Sequence, residues 1–301
     1  MSKKLLRQGG ILTLICLLFL IALIPISAEQ YPLTVEDQFG RFITINSQPE
    51  RIISGSPGNT EILFALGLEE RIVGVTDWCD FPQEALSKSK IGNIAPINIE
   101  RVVSLRPDLV LACNLNGKEP VEKLTELSLP VVALNPMSLQ DIIEAIRLVG
   151  LVTGEENEAE KLAKKLEETI QRVAMSGSNR RKEQLKVFIA IGNDLNSLWT
   201  AGSGSFLDET VTLLGGVNIA GDLGFTWGQV NLEYILKMDP DIILTELEPE
   251  IFFKDSFFRQ ITAARKKQIY QIDVNIFSRP GPRLIEAVND LACLMEKEFG
   301  D

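Results

Sequence analysis

The stretch NIERVVSLRPDLVL at residues 98–111 returns as NLEYILKMDPDIIL at residues 231–244, so the two copies lie 133 positions apart. Asn98 and Asn231, Glu100 and Glu233, Pro107 and Pro240, and Asp108 and Asp241 are kept, while the apolar residues between them vary in kind but not in place. A chain that writes one phrase twice at this distance is built from two similar halves. A fainter echo follows the same order: Glu61-Ile-Leu-Phe-Ala-Leu-Gly67 resembles Glu209-Thr-Val-Thr-Leu-Leu-Gly215. With 301 residues, 45% of them hydrophobic, there is room for two domains of roughly 100–200 residues.

The segments of each half alternate between strand and helix patterns. LTVEDQFGRFITIN alternates apolar and polar around Gly40, as a hairpin does. RIISGSP, RIVGVT, DLVLA and LPVVAL then read as strands, separated by TEILFALGL at helical spacing and by a short helix that Asn98 would cap. The second half repeats the order with KVFIAIG, SFLDETVTLLGG, NLEYILKM, DIILTE and KKQIYQID. Strands alternating with helices imply a largely parallel sheet covered by helices, an α/β fold. Between the halves, SLQD at 138–141 is a capping-box pattern, and Ala159, Leu162, Ala163, Leu166, Ile170 and Val173 form one apolar helical stripe. About twenty helical residues span ~30 Å, so one long backbone helix is expected to join two similar lobes and to restrict them to small movements. The expected divisions are a signal segment at 1–28, a first lobe at 29–137, connecting helices at 138–176 and a second lobe at 184–301.

Lys3, Lys4 and Arg7 precede an apolar run at 11–26, and Ser27-Ala28 offers a small-residue exit before Glu29. This is the pattern of a secretory signal, with retention as an uncleaved anchor the alternative. Cys16 lacks the small residues that a lipoprotein signal places before its cysteine. Removal of 1–28 leaves 27 Lys and Arg against 41 Asp and Glu, a formal charge of -14, which excludes nucleic acid as an expected partner. The absence of histidine excludes His-dependent triads, His-containing zinc sites and His-ligated haem. There is also no GxSxG, Walker A, GxGxxG or CxxC motif, so neither catalysis nor a resident metal or cofactor is expected.

Ligands of open parallel sheets gather outside the carboxyl ends of the strands. The segments there carry Asp77, Trp78, Cys79 and Asp80 after RIVGVT, Cys113 after DLVLA, Trp199 after KVFIAIG, and Phe277, Ser278 and Arg279 after the last strand; Trp227 precedes the second copy of the repeated helix. Each tryptophan either plugs a lobe core or faces an interlobe cleft; their shared position favours a surface for a large, flat or apolar ligand. Arg279 and Arg283 would serve anionic ligand groups or pair with surface carboxylates. Cys79 and Cys113 are placed for a disulfide at the cleft rim, failing which they are ordinary small residues. Cys293 lies on the apolar stripe of the final helix and is expected as a buried thiol. Asp77, Asp80 or Asp194 would supply acid and base if the cleft were catalytic.

Glu100 and Glu233 fall in the first turns of the repeated helices, where an acid meets the helix dipole favourably. Helix stabilisation accounts for either alone. As a pair related by approximate twofold symmetry, they would suit a dimeric partner bearing paired arginines.

RIISGSPGNTEILFALGLEERIVGVTDWCDFP, NIERVVSLRPDLVL and SRPGPRLIEAV, in this order, resemble the periplasmic substrate-binding proteins of ABC importers for cobalamin and ferric siderophores, whose two lobes are joined by a single long helix. The resemblance covers nearly all of the chain beyond the signal. It implies a periplasmic or extracytoplasmic monomer that captures a large metal chelate and delivers it to a membrane permease dimer without chemistry on the ligand. It assigns Glu100 and Glu233 to docking, and Trp78, Trp199, Trp227 and Phe277 to the ligand, to which the position of Arg279 adds a cationic contact. Cobalamin is the leading expectation. Cys113, where the resemblance leads one to expect an aromatic, keeps a ferric siderophore as the rival. Haem is disfavoured because Tyr31, Tyr234 and Tyr270 lie outside the cleft segments.

Overall fold

The protein's computed structural model describes residues 30–178 and 185–299. Strands β1 (Leu33–Glu36) and β2 (Phe42–Ile45) form the expected antiparallel hairpin. The first lobe continues with β3 (Ile52–Ser54), α1 (Pro57–Ala65), β4 (Ile72–Val75), α2 (Ile99–Ser104), β5 (Leu109–Cys113), α3 (Lys118–Glu126) and β6 (Val131–Leu134). Two helices follow, α4 (Leu139–Thr153) and α5 (Glu156–Ser178). The second lobe comprises β7 (Lys186–Ala190), β8 (Trp199–Ala201), α6 (Phe206–Leu213), β9 (Val217–Asn218), β10 (Trp227–Gln229), α7 (Leu232–Met238), β11 (Ile242–Thr245), α8 (Pro249–Lys254), α9 (Thr262–Arg265), β12 (Ile269–Gln271), α10 (Val274–Ser278) and α11 (Leu284–Phe299).

The sheets are ordered β4-β3-β5-β6 and β9-β7-β11-β12, with every pairing parallel. In both lobes the first strand of the sheet lies between the second and the third, and the fourth lies outermost, so the doubling in the sequence is a doubling of topology. The repeated phrase occupies α2 and β5 in one lobe and α7 and β11 in the other. Both copies leave their helix through a left-handed residue before the proline, Arg106 at φ 48° and Asp239 at φ 46°. Asp108 Oδ1 then accepts from Arg51 N at 2.8 Å while its own N–H donates to Arg51 O; Asp241 Oδ2 and N–H make the same two bonds with Lys186. The Pro-Asp pairs thus staple each third strand to the start of the first.

Central strands are buried on both faces, which explains their unbroken apolar runs. Leu109 and Leu111 of β5, and Ile242 and Leu244 of β11, turn inward to one core that also takes residues from α4, α5 and α11. Val110 and Ala112 turn to the first lobe's outer core, and Ile243 to the second lobe's. The inner core is continuous between the lobes. Helix α5 is ~34 Å long at ~1.5 Å per residue, and its predicted stripe buries Ala159, Ala163, Leu166 and Val173 there. Helices α4 and α5 approach so closely that a Cβ on Gly150 would lie 2.2 Å from that of Ala159. The SLQD box caps α4 as expected: Asp141 N donates to Ser138 Oγ at 3.0 Å and Ser138 N to Asp141 Oδ2 at 2.9 Å. Glu209 of α6 reaches across the lobes to accept Leu139 N at 2.7 Å. No helix among the described residues is long and apolar enough to cross a membrane; the signal segment at 1–28 lies outside them.

Candidate functional site

At the carboxyl ends of the first sheet, one buried side chain ties three loops together. Asn116 Oδ1 accepts from Cys113 N at 2.8 Å, and its Nδ2 donates to Gly55 O at 2.8 Å and Ile94 O at 3.0 Å. A Cβ on Gly55 would sit 2.3 Å from that Oδ1, so only glycine fits the join. Trp78, on the neighbouring loop, donates from Nε1 to Asn93 Oδ1 at 2.9 Å and leaves 57% of its surface exposed. A large aromatic held at its polar edge with its body in solvent is a ready contact for an apolar partner.

The second lobe presents its tryptophans on strands rather than loops. Trp199 and Trp227 belong to an antiparallel ribbon of β8 and β10, in which Trp199 pairs with Gln229 and Ala201 with Trp227. The two-residue side-chain period puts both indoles on one face of that ribbon as diagonal neighbours. Trp199 is 46% exposed. Trp227 is half-buried and packs on Phe206, with ring centroids 5.8 Å apart, so it supports the core as well as the ribbon's face.

The lobes meet through a charged cluster. Glu61, buried in α1, accepts from Arg283 Nε at 3.0 Å and Nη2 at 2.6 Å. Arg279 Nη1 lies 2.5 Å from Asp80 Oδ1 and 3.5 Å from Glu61 Oε1, and its Nη2 donates to Asn275 Oδ1 at 2.7 Å. The Arg283 guanidinium also lies 3.9 Å from the centre of the Phe81 ring, a cation–π contact. Burial works against the charge on Arg283, but the Glu61 hydrogen bond and charge outweigh it and hold the guanidinium pKa above its ordinary value. The hydrogen bond from Arg279 holds the Asp80 carboxyl below the usual range. Arg283 therefore does not pair with a surface carboxylate, nor is it free for a ligand.

Three expectations are corrected. Phe277 is 4% exposed and belongs to the inner core: Asp273 Oδ1 accepts from Asn275 N and starts α10, whose turn carries Phe277 inward instead of leaving it on a loop. Cys79 and Cys113 are free thiols. Cys79 is buried with its Sγ 3.1 Å from the hydroxyls of both Thr60 and Thr76, and Cys113 faces Gly55 O at 3.8 Å; burial raises the Cys113 thiol pKa. Cys293 is exposed, because the apolar stripe of α11 buries Leu291 and Met295 on either side and turns Cys293 outward.

Two of the three aspartates expected to act if the cleft were catalytic are otherwise engaged, while Asp77 is exposed. Asp80 holds Arg279, and Asp194 Oδ1 accepts from Asn196 N at 3.1 Å in a local turn. Tyr31 and Tyr234 donate to the carbonyls of Val152 and Ile219. Among the described residues no group of three or more Cys, Asp or Glu is placed to hold a metal.

On the outer side, the repeated helices present matching features. Asn98 Oδ1 caps α2 through Arg101 N at 3.0 Å, and Asn231 Oδ1 caps α7 through Tyr234 N at 2.7 Å. With Asn serving as cap and Pro-Asp as staple, the remaining kept polar residues are Glu100 and Glu233. Both are exposed, and neither carboxylate meets a hydrogen-bond or ion-pair partner among the described residues. Sequence reasoning met Glu61 and Glu209 only as the first residues of the fainter echo, without a role, and passed over Phe81 and Asn116. The available signal for Glu61 was an acid set within the apolar turns of TEILFAL.

Residues 52–275 match the family model described as periplasmic binding protein. The chain is 31% identical over 271 residues to an uncharacterised ABC transporter substrate-binding lipoprotein, YvrC, of Bacillus subtilis, covering 88% of this chain and 85% of that one. It is 31% identical over 244 residues to a vitamin B12-binding protein of Pectobacterium carotovorum, covering 81% and 87% respectively. The crystal structure of the periplasmic vitamin B12 binding protein BtuF of Vibrio cholerae superposes with a TM-score of 0.74 at 26% identity, covering 83% of this chain and 97% of that one.

Proposed function

Because the chain belongs to the periplasmic binding protein family, we propose that it is the extracytoplasmic receptor of an ABC importer, and that it holds cobalamin or another corrinoid between its lobes. The observation that carries the ligand reading is the pair of exposed indoles, Trp78 and Trp199, each at the carboxyl-end side of its own lobe's sheet. A corrinoid is a broad, largely apolar plate with a polar edge, and aromatic faces of this kind bind such a plate by area and stacking. The B12-binding relatives support the assignment. Phe277 is too deeply buried to share that contact, and Arg279 is engaged by Asp80, so Trp78 and Trp199 are the principal contacts, with Trp227 supporting Trp199.

A ferric siderophore is the second reading. Cys113, not an aromatic, ends β5, and a siderophore arrives with its iron already coordinated. Titration of the purified protein with cyanocobalamin, a ferric siderophore and haem, followed by tryptophan fluorescence and equilibrium dialysis, tests the assignment. Saturable binding of the corrinoid supports it, and binding of the siderophore alone replaces it with the second reading.

Glu100 and Glu233 are the docking residues for a twofold permease in this proposal. Two uncommitted carboxylates at equivalent points of two related lobes match a partner whose own symmetry duplicates each arginine. The receptor works outside the cytoplasm, with residues 1–28 removed on export or kept as a membrane anchor. A native N-terminus at Glu29 distinguishes removal from anchoring.

A further inference from the structure

The second lobe sends two cations across the interlobe face, and both meet carboxylates of the first. Arg283 is taken by Glu61. Arg279 lies between Asp80 and Glu61, its side chain 11% exposed against 51% for that of Asp80. Of the lysines on this side, Lys90 is engaged, donating to the carbonyls of Thr76 and Cys79, whereas Lys118 is an exposed ammonium 3.7 Å from Glu122. Asp77, next to Trp78, is exposed. The four-membered cluster sums to zero charge, and Asp77 makes its surroundings negative.

A polyanionic chelate brought against Trp78 would meet like charge on Asp77 and Asp80 and find no uncommitted guanidinium, a juxtaposition that disfavours association. A neutral chelate has no such penalty and loses nothing of the aromatic contact. We propose that this face selects neutral or weakly charged chelates over polyanionic ones, and that Asp80 is the residue that sets the preference by occupying Arg279. Of the two carboxylates on Arg279, Asp80 is the exposed one, while Glu61 stays bound to Arg283. Loss of the Asp80 charge would therefore turn Arg279 into an anion receptor at the cleft. The inference rests on the interlobe face being the ligand site.

Two iron(III) chelates of similar size separate charge from chemistry: a neutral tris-hydroxamate and a trianionic tris-catecholate. Equilibrium dialysis with each is compared for the wild type, Asp80→Asn, and Asp80→Asn combined with Arg279→Gln. The wild type is expected to bind the tris-catecholate at least about tenfold more weakly than the tris-hydroxamate, a difference of ~1.4 kcal/mol. Asp80→Asn narrows that ratio about tenfold, and the double variant restores it. A flat or reversed ratio in the wild type, an unchanged ratio in Asp80→Asn, or a gain that survives in the double variant overturns the proposal. If cyanocobalamin binds while the ratio is flat, the charge preference alone falls. If no chelate and no corrinoid binds the wild type, the ligand site falls and the preference with it.

Discussion

Glu61 and Glu209 stand at matching points of α1 and α6, and each carboxylate crosses to the start of the helix that follows the opposite lobe: Glu61 to Arg283 before α11, Glu209 to the N–H of Leu139 in α4. The two bonds have different chemistry. Glu61 is a buried anion between two guanidinium groups, whereas Glu209 satisfies a backbone donor at a helix start, where an anion is also favoured by the dipole.

Glu61→Gln leaves Arg283 and part of Arg279 buried without their countercharge, and breaking such a pair costs about 3–5 kcal/mol. Glu209→Gln keeps an oxygen acceptor for Leu139 and is expected to cost about 1 kcal/mol or less. Urea unfolding of the two variants checks the ranking, and equal losses would remove the distinction.

Trp78→Ala and Trp199→Ala are each expected to weaken corrinoid binding about tenfold, a stacking contribution of ~1.4 kcal/mol, with little change in melting temperature. Trp227→Ala, which strips the Phe206 contact, is expected to lower stability by up to about 3 kcal/mol. Paired titration and thermal melts of all three variants separate contact from support.

Glu100→Arg combined with Glu233→Arg is expected to abolish transport into permease-bearing vesicles while leaving ligand affinity within about twofold, because both residues lie outside the cleft. A loss of affinity in dialysis would place them at the ligand instead. Asn98→Ala and Asn231→Ala serve as controls on the same helices, each costing ~1 kcal/mol of stability through the lost cap.

Asp80 supplies a pH signature. Its folded pKa is depressed below the ordinary carboxylate value of about 3.9. The stabilisation from its pair with Arg279 is therefore complete above that value and is lost as pH falls from there through the folded pKa. The wild type should lose stability relative to Asp80→Asn over that acid window, and the difference between them should be constant from pH 5 to 8. A difference that grows toward neutral pH would contradict the assignment.

Cys293 is expected to react rapidly with Ellman's reagent in the native protein, and Cys79 only on unfolding, since one is exposed and the other buried. Thiol labelling followed by peptide mapping distinguishes them.

Elements whose information is local were readable before the structure. The alternation in LTVEDQFGRFITIN gave the hairpin, the unbroken runs gave the buried strands, and Asn98, Asn231 and Ser138 marked helix starts through caps that act within three residues. Residues whose role depends on distant partners were not. Arg279 and Asp80 are 199 positions apart and Arg283 and Glu61 are 222 apart, so no window of sequence joins them. Trp199 reads as a loop residue by position, because the partner that makes its segment a strand, β10, comes 28 residues later. Phe277 and Cys293 were misplaced by local rotation: a helix begun at Asp273 turned one inward, and the phase of α11 turned the other outward.

The inner core that runs unbroken from Val35 to Met295 has a consequence for how the chain denatures. Each lobe hides the outer face of its sheet in a core of its own, but the inner faces of both sheets rest on the same helices, so neither lobe can hide its inner face alone. Heating should give one calorimetric endotherm with matching van't Hoff and calorimetric enthalpies, and a half expressed by itself should precipitate.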